Sequence, residues 1–380
     1  MGGAALGALE EFCRRGKSLI DQHLTEVPCP DEKLVAGCFG EAESGGTDEE
    51  WVVISKSGFA LILARHERHA LAFENGYRAL RWGGRFVRKF LKLTSRSSFW
   101  TFLPKRKINR SPDCLLSRLE AHFQGKAKAI LFGNPVQVHR RAMIQLLQDD
   151  GHVIMIKSGF TPEAIKSIRR EAGFLQLTGI DPNLRPRVLG TQFNEKEAWL
   201  ALEWLAGSET MSSKAIERAA VRFLRRLRVP REHVVLEDLE DWDSGEHRFP
   251  LPAQLRKRNL VKTATHGDFA LWNLLRRGLH LAAVDWEWSR ESGIAGLDLV
   301  HLHYQDAAMV KGLDDFRLTK HVLKRLNRDV SRVFLLDCGW HKVEEVLVVY
   351  LATLNPIFKG VSQSAYQELV DSIGDRPDRS

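Results

Sequence analysis

The chain changes character near Leu205, and that change limits the folds open to it. Before that point, short apolar runs are separated by turn residues. Segments 129–132, 136–147 and 152–157 read as strands, with Gly133-Asn134-Pro135 and Gln148-Asp149-Asp150-Gly151 as turns between them. Val188–Phe193 and Ala198–Glu203, on either side of Asn194-Glu195-Lys196, read as a hairpin. One helix interrupts these strands. Thr161 supplies a hydroxyl N-cap, Pro162 takes the first helical position and Glu163 the first turn, while Ile165, Ile168, Ala172 and Leu175 share a face up to about Leu177. This predicts a five-stranded, mostly antiparallel sheet with one inserted helix, ending near Leu205. Beyond it, segments 214–227, 297–311, 314–327, 342–355 and 362–373 carry helical periodicity, the first capped by Ser212 or Ser213. A small sheet lobe followed by a larger helical lobe is a two-lobed α+β architecture, and a cleft between such lobes is where a ligand is expected.

Residues 1–115 follow neither pattern and are expected to form an N-terminal α/β extension, ahead of a sheet lobe at 116–205 and a helical lobe at 206–380. Segment 10–24 reads as a helix, and 51–55 with 59–63 as a hairpin turning at Gly58. Further on, Arg81, Arg85, Arg88 and Lys92 recur at helical spacing beside an apolar stripe of Trp82, Phe86, Phe90 and Leu93. Such a basic amphipathic helix lies on an anionic membrane surface, or docks on its own protein with the basic face in water. Nucleic acid is not an expected partner, because no zinc-finger, RNA-recognition or helix-turn-helix signature accompanies the charge.

Bulk properties exclude several classes. A chain of 380 residues with 44% hydrophobic content is that of an ordinary globular protein with two or three packed lobes. No apolar run reaches the length of a membrane span, since segment 51–64 is broken by Lys56, Ser57 and Gly58. Glu10, Glu11, Arg14 and Arg15 fall where the apolar core of a signal peptide would be. Five scattered cysteines without C-x-x-C spacing argue against a disulfide framework or a zinc site and point to a reducing cytoplasm. The net charge of +8 suits an anionic partner or simply serves solubility.

Within the second half, His266-Gly267-Asp268-Phe269-Ala270-Leu271-Trp272-Asn273 precedes a short apolar run that ends at Val284-Asp285-Trp286-Glu287. Two carboxylates and a carboxamide, on a loop and at the end of the next strand, suit phosphoryl transfer. Asp268 would meet the attacking hydroxyl, and Asn273 and Asp285 would offer hard oxygen ligands to Mg²⁺ on a nucleotide's phosphates. A strand-end turn is the other reading of Asp285. His266, beside Gly267, reads as a brace for the loop rather than a base. Upstream, Lys157 ends an apolar strand and needs a partner there, and Glu171 on the following helix could reach back to it. The pair would aim an ammonium group at the α- and β-phosphates. An exposed lysine and a solvated glutamate are the alternative. Gly133 would let the turn at 132–135 approach phosphates closely, or it marks an ordinary hairpin turn.

Together these residues resemble the aminoglycoside phosphotransferase and choline kinase family, a branch of the protein-kinase-like fold. The family's H-G-D-x-x-x-x-N loop matches His266 to Asn273, its D-[FW]-E motif matches Asp285-Trp286-Glu287, and its later glycine turn and aspartate match Gly293-Ile294-Ala295-Gly296-Leu297-Asp298. The resemblance covers about residues 127–310 and implies an ATP- and Mg²⁺-dependent kinase of a small-molecule hydroxyl. It implies that Asp268 is catalytic, that Asn273 and Asp285 bind metal, and that His266 and Asp298 support the loop. It further implies that Lys157, Glu171 and Gly133 serve the nucleotide, with Glu203 and Leu205 in the inter-lobe linker that contacts adenine. A nucleotide-binding scaffold is the alternative function. The acceptor is open: the acidic run of Glu237, Asp238, Glu240, Asp241 and Asp243 suits a cationic amine or is a solvated loop, while the basic net charge suits a neutral or anionic acceptor.

Overall fold

Asn194 shows how short-range chemistry sets the local structure. Its side-chain Oδ1 accepts the N–H groups of Lys196 and Glu197 at 2.8 and 2.7 Å, closing the hairpin between Val188–Phe193 and Ala198–Glu203. The computed structural model describes residues 32–40, 46–56, 59–64, 105–132, 141–177, 179–205, 208–209, 213–238, 249–353 and 361–374. These fall into two units. The first comprises the described parts of Met1–Tyr77, Arg85–Arg169 and Leu189–Glu203, and the second those of Arg170–Val188 and Trp204–Ser380.

In chain order, the first unit holds α1 (Glu32–Phe39), β1 (Thr47–Lys56), β2 (Phe59–Ala64), β3 (Lys105–Arg110), α2 (Leu115–Phe123), β4 (Gly125–Phe132), β5 (Arg141–Gln148) and β6 (Val153–Gly159). Then come α3 (Pro162–Gln176), which the unit division crosses at Arg170, β7 (Val188–Phe193) and β8 (Ala198–Glu203). The eight strands form one sheet, in the order β3-β1-β2-β4-β5-β6-β8-β7. The sequence predicts a five-stranded sheet and a separate extension before residue 115. Instead β2 pairs antiparallel with β4, so the expected boundary falls inside a sheet. Without that pairing β4 would present a bare edge. Arg110 fastens the added strands to α2 through Glu49 at 2.9 Å and Glu120 at 2.6 Å. Beneath them Cys38, Phe39, Trp51, Leu116, Leu119, Ile130, Ile144, Ile154 and Ile156 form a buried core. The predicted start of α3 is present, with the Thr161 hydroxyl accepting the Ala164 N–H at 3.2 Å.

The second unit continues with β9 (Ser208–Glu209), α4 (Ser213–Arg226), β10 (Arg228–Val235), α5 (Ala253–Arg256), β11 (Asn259–Thr265), β12 (Leu274–Arg277), β13 (His280–Ala283) and β14 (Arg290–Ile294). Helices α6 (Leu297–Gln305), α7 (Asp315–Leu326), α8 (Asp329–Leu336), α9 (Val343–Thr353) and α10 (Gln363–Gly374) follow. The expected helical region therefore also contains two three-stranded sheets, ordered β10-β11-β14 and β13-β12-β9. Residues Asp298 to Gln305 of α6 are all buried, so a polar side chain among them either finds a partner inside the protein, as Asp298 and His301 do, or is left unpaired at a cost, as both ring nitrogens of His303 are. A π-helical turn, Asp306–Val310, extends α6.

Among the described residues no helix is long and apolar enough to cross a membrane. The expected helix at 10–24, the basic stripe from Arg81 to Leu93, the turn containing Gly133, and Glu240, Asp241 and Asp243 lie outside the described residues. The architecture is α+β, as the sequence predicts.

Candidate active site

β11 delivers the chain into His266-Gly267-Asp268, a 3₁₀ turn at Leu271–Asn273 follows, and the β12–β13 hairpin returns it to Val284 and Asp285. Leu274 faces Ala283 in that hairpin, and the Val284 N–H donates to the Asn273 carbonyl at 2.9 Å. The ladder therefore runs one step beyond the hairpin and leaves Asp285 just past its end. Asp285 has φ 67°, in the left-handed region that residues with a Cβ enter uncommonly, aspartate more readily than most.

Asn273 and Asp268 are joined directly. The Asn273 Nδ2 donates to the Asp268 backbone carbonyl at 2.9 Å and to its Oδ2 at 2.8 Å. With the amide nitrogen spent on Asp268, the Asn273 Oδ1 is the end able to ligate a cation.

Asp298, in the first turn of α6, holds the loop backbone. Its Oδ2 accepts the His266 N–H at 2.7 Å and its Oδ1 the Gly267 N–H at 3.0 Å. Burial pushes its carboxyl above the ordinary range, while His266 and the two backbone N–H groups favour the charged form. His266 Nε2 donates to the Val284 carbonyl at 3.0 Å and its Nδ1 accepts the Asp268 N–H at 3.3 Å, so its ring ties the loop to the strand end before Asp285. Gly267 has φ 78°, and a Cβ there would sit 2.2 Å from the Trp288 carbonyl oxygen. Only glycine fits both requirements.

Trp286 is fully buried, stacked on Phe174 with ring centroids 5.1 Å apart, and its indole N–H donates to the Ala283 carbonyl at 2.8 Å. Glu171, also fully buried, accepts the Trp286 backbone N–H on Oε1 at 3.0 Å. Leu205 packs with Leu275, Ala282 and Val284.

The chain is similar to solved aminoglycoside phosphotransferases. One is APH(2")-IIa in a ternary complex with streptomycin and ATP, at 14% identity, 71% coverage of this chain and 93% of that one, and a TM-score of 0.41. Another is APH(3'')-Id from Streptomyces rimosus ATCC10970, at 15% identity over 58% and 94% of the two chains, with a TM-score of 0.35. Macrolide 2'-phosphotransferase MphH from Brachybacterium faecium is similar at 13% identity over 70% and 98%, with a TM-score of 0.37. No protein-family model and no curated protein matches the chain. Likeness this distant assigns no residue, and the site rests on its own geometry.

Of the residues singled out from sequence, the structure gathers Asp268, Asn273, His266 and Asp298 into one hydrogen-bonded group, with Asp285 next to Val284 at its edge. Lys157 lies in the first unit, buried on β6 between Met143 and Leu200 of the neighbouring strands. Glu203 ends β8 in that unit, whereas Glu171 and Leu205 belong to the second.

One partner of Asp268, and the residue behind it, went unnoticed in the sequence. His301 on α6 places Nε2 2.9 Å from Asp268 Oδ1, and the Tyr350 hydroxyl on α9 lies 3.0 Å from His301 Nδ1. The one available signal is that His301 falls three residues after Asp298, on the same helical face.

Among the described residues no cluster of three or more His, Cys, Asp or Glu is placed to hold a metal by itself. One carboxylate and one amide oxygen fit Mg²⁺, a hard ion that takes few protein ligands and completes its shell with phosphate and water.

Proposed function

We propose that this protein is a phosphotransferase that moves the γ-phosphoryl group of ATP, with Mg²⁺, to a hydroxyl of a small molecule. The observation that carries this reading is Asp268 itself. Its side chain is 22% exposed, and each carboxylate oxygen is held by one side-chain nitrogen, from Asn273 and His301. A carboxylate so fixed, yet still reachable, can orient an acceptor hydroxyl and receive its proton as the oxygen bonds to phosphorus.

Asn273 Oδ1 and the Asp285 carboxylate would hold Mg²⁺, which when bound neutralises charge on the phosphate oxygens. What supports this assignment is the position of Asp285, just past the end of the hairpin whose ladder closes on the Asn273 carbonyl. Lys157 is the cation proposed for the α- and β-phosphates, Gly133 the close-approach residue of the phosphate turn, and Glu171 a positioning residue. Glu203 and Leu205 are proposed to flank the backbone that reads adenine. His266 and Asp298 keep Asp268 in place and take no part in proton transfer. The acceptor is proposed to be a sugar, an aminoglycoside-like compound or an amino alcohol.

The test is ADP release from Mg·ATP across aminoglycosides, choline, homoserine, hexoses and nucleosides, for the protein and for Asp268→Asn. We expect acceptor-dependent turnover that falls by about 10²- to 10⁴-fold in the variant. Equal and negligible turnover by both proteins across the panel would replace this reading with that of a nucleotide-binding scaffold.

A further inference from the structure

The second unit contains a polar chain that ends on Asp268 and that the reaction as described does not use. Tyr350 and His301 are each 5% exposed, on two different helices, α9 and α6. The Tyr350 hydroxyl lies 3.0 Å from His301 Nδ1, and His301 Nε2 lies 2.9 Å from Asp268 Oδ1.

We propose that Tyr350 and His301 form a relay that sets one imidazole tautomer and thereby fixes the carboxylate plane of Asp268, making His301 a positioning residue for the transfer. The inference rests on the reading of Asp268 as the group that meets the acceptor hydroxyl.

The direction of the chain follows from what each end can do. An ionised carboxylate oxygen only accepts, so the nitrogen facing Asp268 carries the hydrogen. A neutral imidazole then has a bare Nδ1, which needs a donor if it is to stay buried. Tyr350 supplies one. Its hydroxyl is held protonated far above the ordinary range by burial, with neighbouring Tyr304 and the carboxylates of Asp268 and Asp298 adding to the effect. Tyr350 therefore donates to Nδ1, Nε2–H donates to Oδ1, and the other tautomer would set a lone pair against the carboxylate.

Geometry gives the relay its purpose. Asn273 holds Oδ2 at 2.8 Å and His301 holds Oδ1, so rotation of the carboxylate breaks a hydrogen bond at either oxygen. Both grips on the loop from α6 come from a single face, since Asp298 and His301 are three residues apart. One rigid helix thus sets the loop backbone at 266–267 and the side-chain plane at Asp268. A buried histidine with satisfied nitrogens is commonly structural. This one is set apart because its donor ends on the side chain proposed to do the chemistry.

The test pairs kinetics with a direct view of the ring. Glutamine keeps an N–H at about the reach of Nε2, whereas leucine keeps only bulk. We expect His301→Leu to lose up to about 10²-fold in kcat with KM for ATP unchanged, and His301→Gln to recover most of that loss. Equal losses in the two variants, or a loss confined to KM, overturn the proposal. In the full-length protein with ¹⁵N-labelled histidine, the signal that vanishes in His301→Gln is expected to show the neutral Nε2–H form. Tyr350→Phe is expected to keep the Nε2–H form but to shift the Nδ1 resonance, because Nδ1 loses its donor. An Nδ1–H form, or an imidazolium, in the unaltered protein overturns the relay. The spectrum needs no turnover, so it decides the relay even if the kinase reading fails.

Discussion

Glu171 Oε1 accepts the backbone N–H of Trp286 at 3.0 Å, so a fully buried carboxylate grips the residue that directly follows Asp285. Replacing it with leucine leaves that buried N–H without its acceptor, at a cost of about 1–3 kcal/mol, whereas glutamine keeps a carbonyl oxygen in place. Glu171→Leu is therefore expected to unfold at markedly lower urea concentration than Glu171→Gln. Coincident midpoints would mean that the grip on Trp286 contributes nothing to stability.

Asp298 makes a comparable pair of bonds to consecutive backbone groups of the loop. Asparagine can accept only one of them and turns an N–H donor toward the other. We expect Asp298→Asn to lose about 1–3 kcal/mol of stability and to speed amide hydrogen exchange at Gly267 and Asp268. Unchanged exchange at both amides would show that the loop is held by other contacts.

Gly267 provides a steric test of the same loop. Alanine there must adopt φ 78°, costing about 1–2 kcal/mol, and its Cβ must also clear the Trp288 carbonyl oxygen at 2.2 Å. Because that oxygen is backbone, relief requires the segment after Asp285 to shift. Gly267→Ala is expected to lose more stability than the conformational term alone and to lose the proposed phosphoryl transfer with it. Stability within the ordinary scatter of surface substitutions would refute the assigned backbone geometry.

How much of this was legible in the sequence depends on the range over which each feature is determined. The α3 start at Thr161-Pro162-Glu163 and the hairpin closed by Asn194 are set by neighbours a few residues apart, and both follow from local chemistry. The helices near 297, 315, 343 and 363 follow from long periodic runs. β11 and β14 lacked any such signal. Asn259–Thr265 mixes polar and apolar residues, and Arg290–Ile294 contains glycine and three exposed positions; each becomes a strand only through partners distant in the chain. β1 to β3 read as a separate extension because strand pairing leaves no mark on composition. At the site, Asp268 and Asn273 are five residues apart and declare themselves, whereas His301 lies 33 residues from Asp268, and Tyr350 another 49 beyond it. A lone histidine on an apolar helix reads as core until its neighbours are known.

His303, two residues beyond His301, provides the pH prediction. It is 1% exposed, and neither ring nitrogen has a hydrogen-bond partner. Burial, followed by the positive field of Arg325, Arg328, His321 and Lys311, holds its pKa well below the ordinary histidine value. With the folded-state pKa depressed, the unfolded chain binds the extra proton as pH falls through the ordinary histidine range. The stability this residue allows is therefore fully present above that range and is lost below it, by at most about 1.4 kcal/mol per pH unit for one proton. His303→Leu removes both the proton site and two unpaired buried nitrogens. Its urea midpoint is expected to match or exceed that of the unaltered protein at pH 8, and to decline less between pH 7 and pH 5. Parallel declines for the two proteins would place the acid sensitivity in another group.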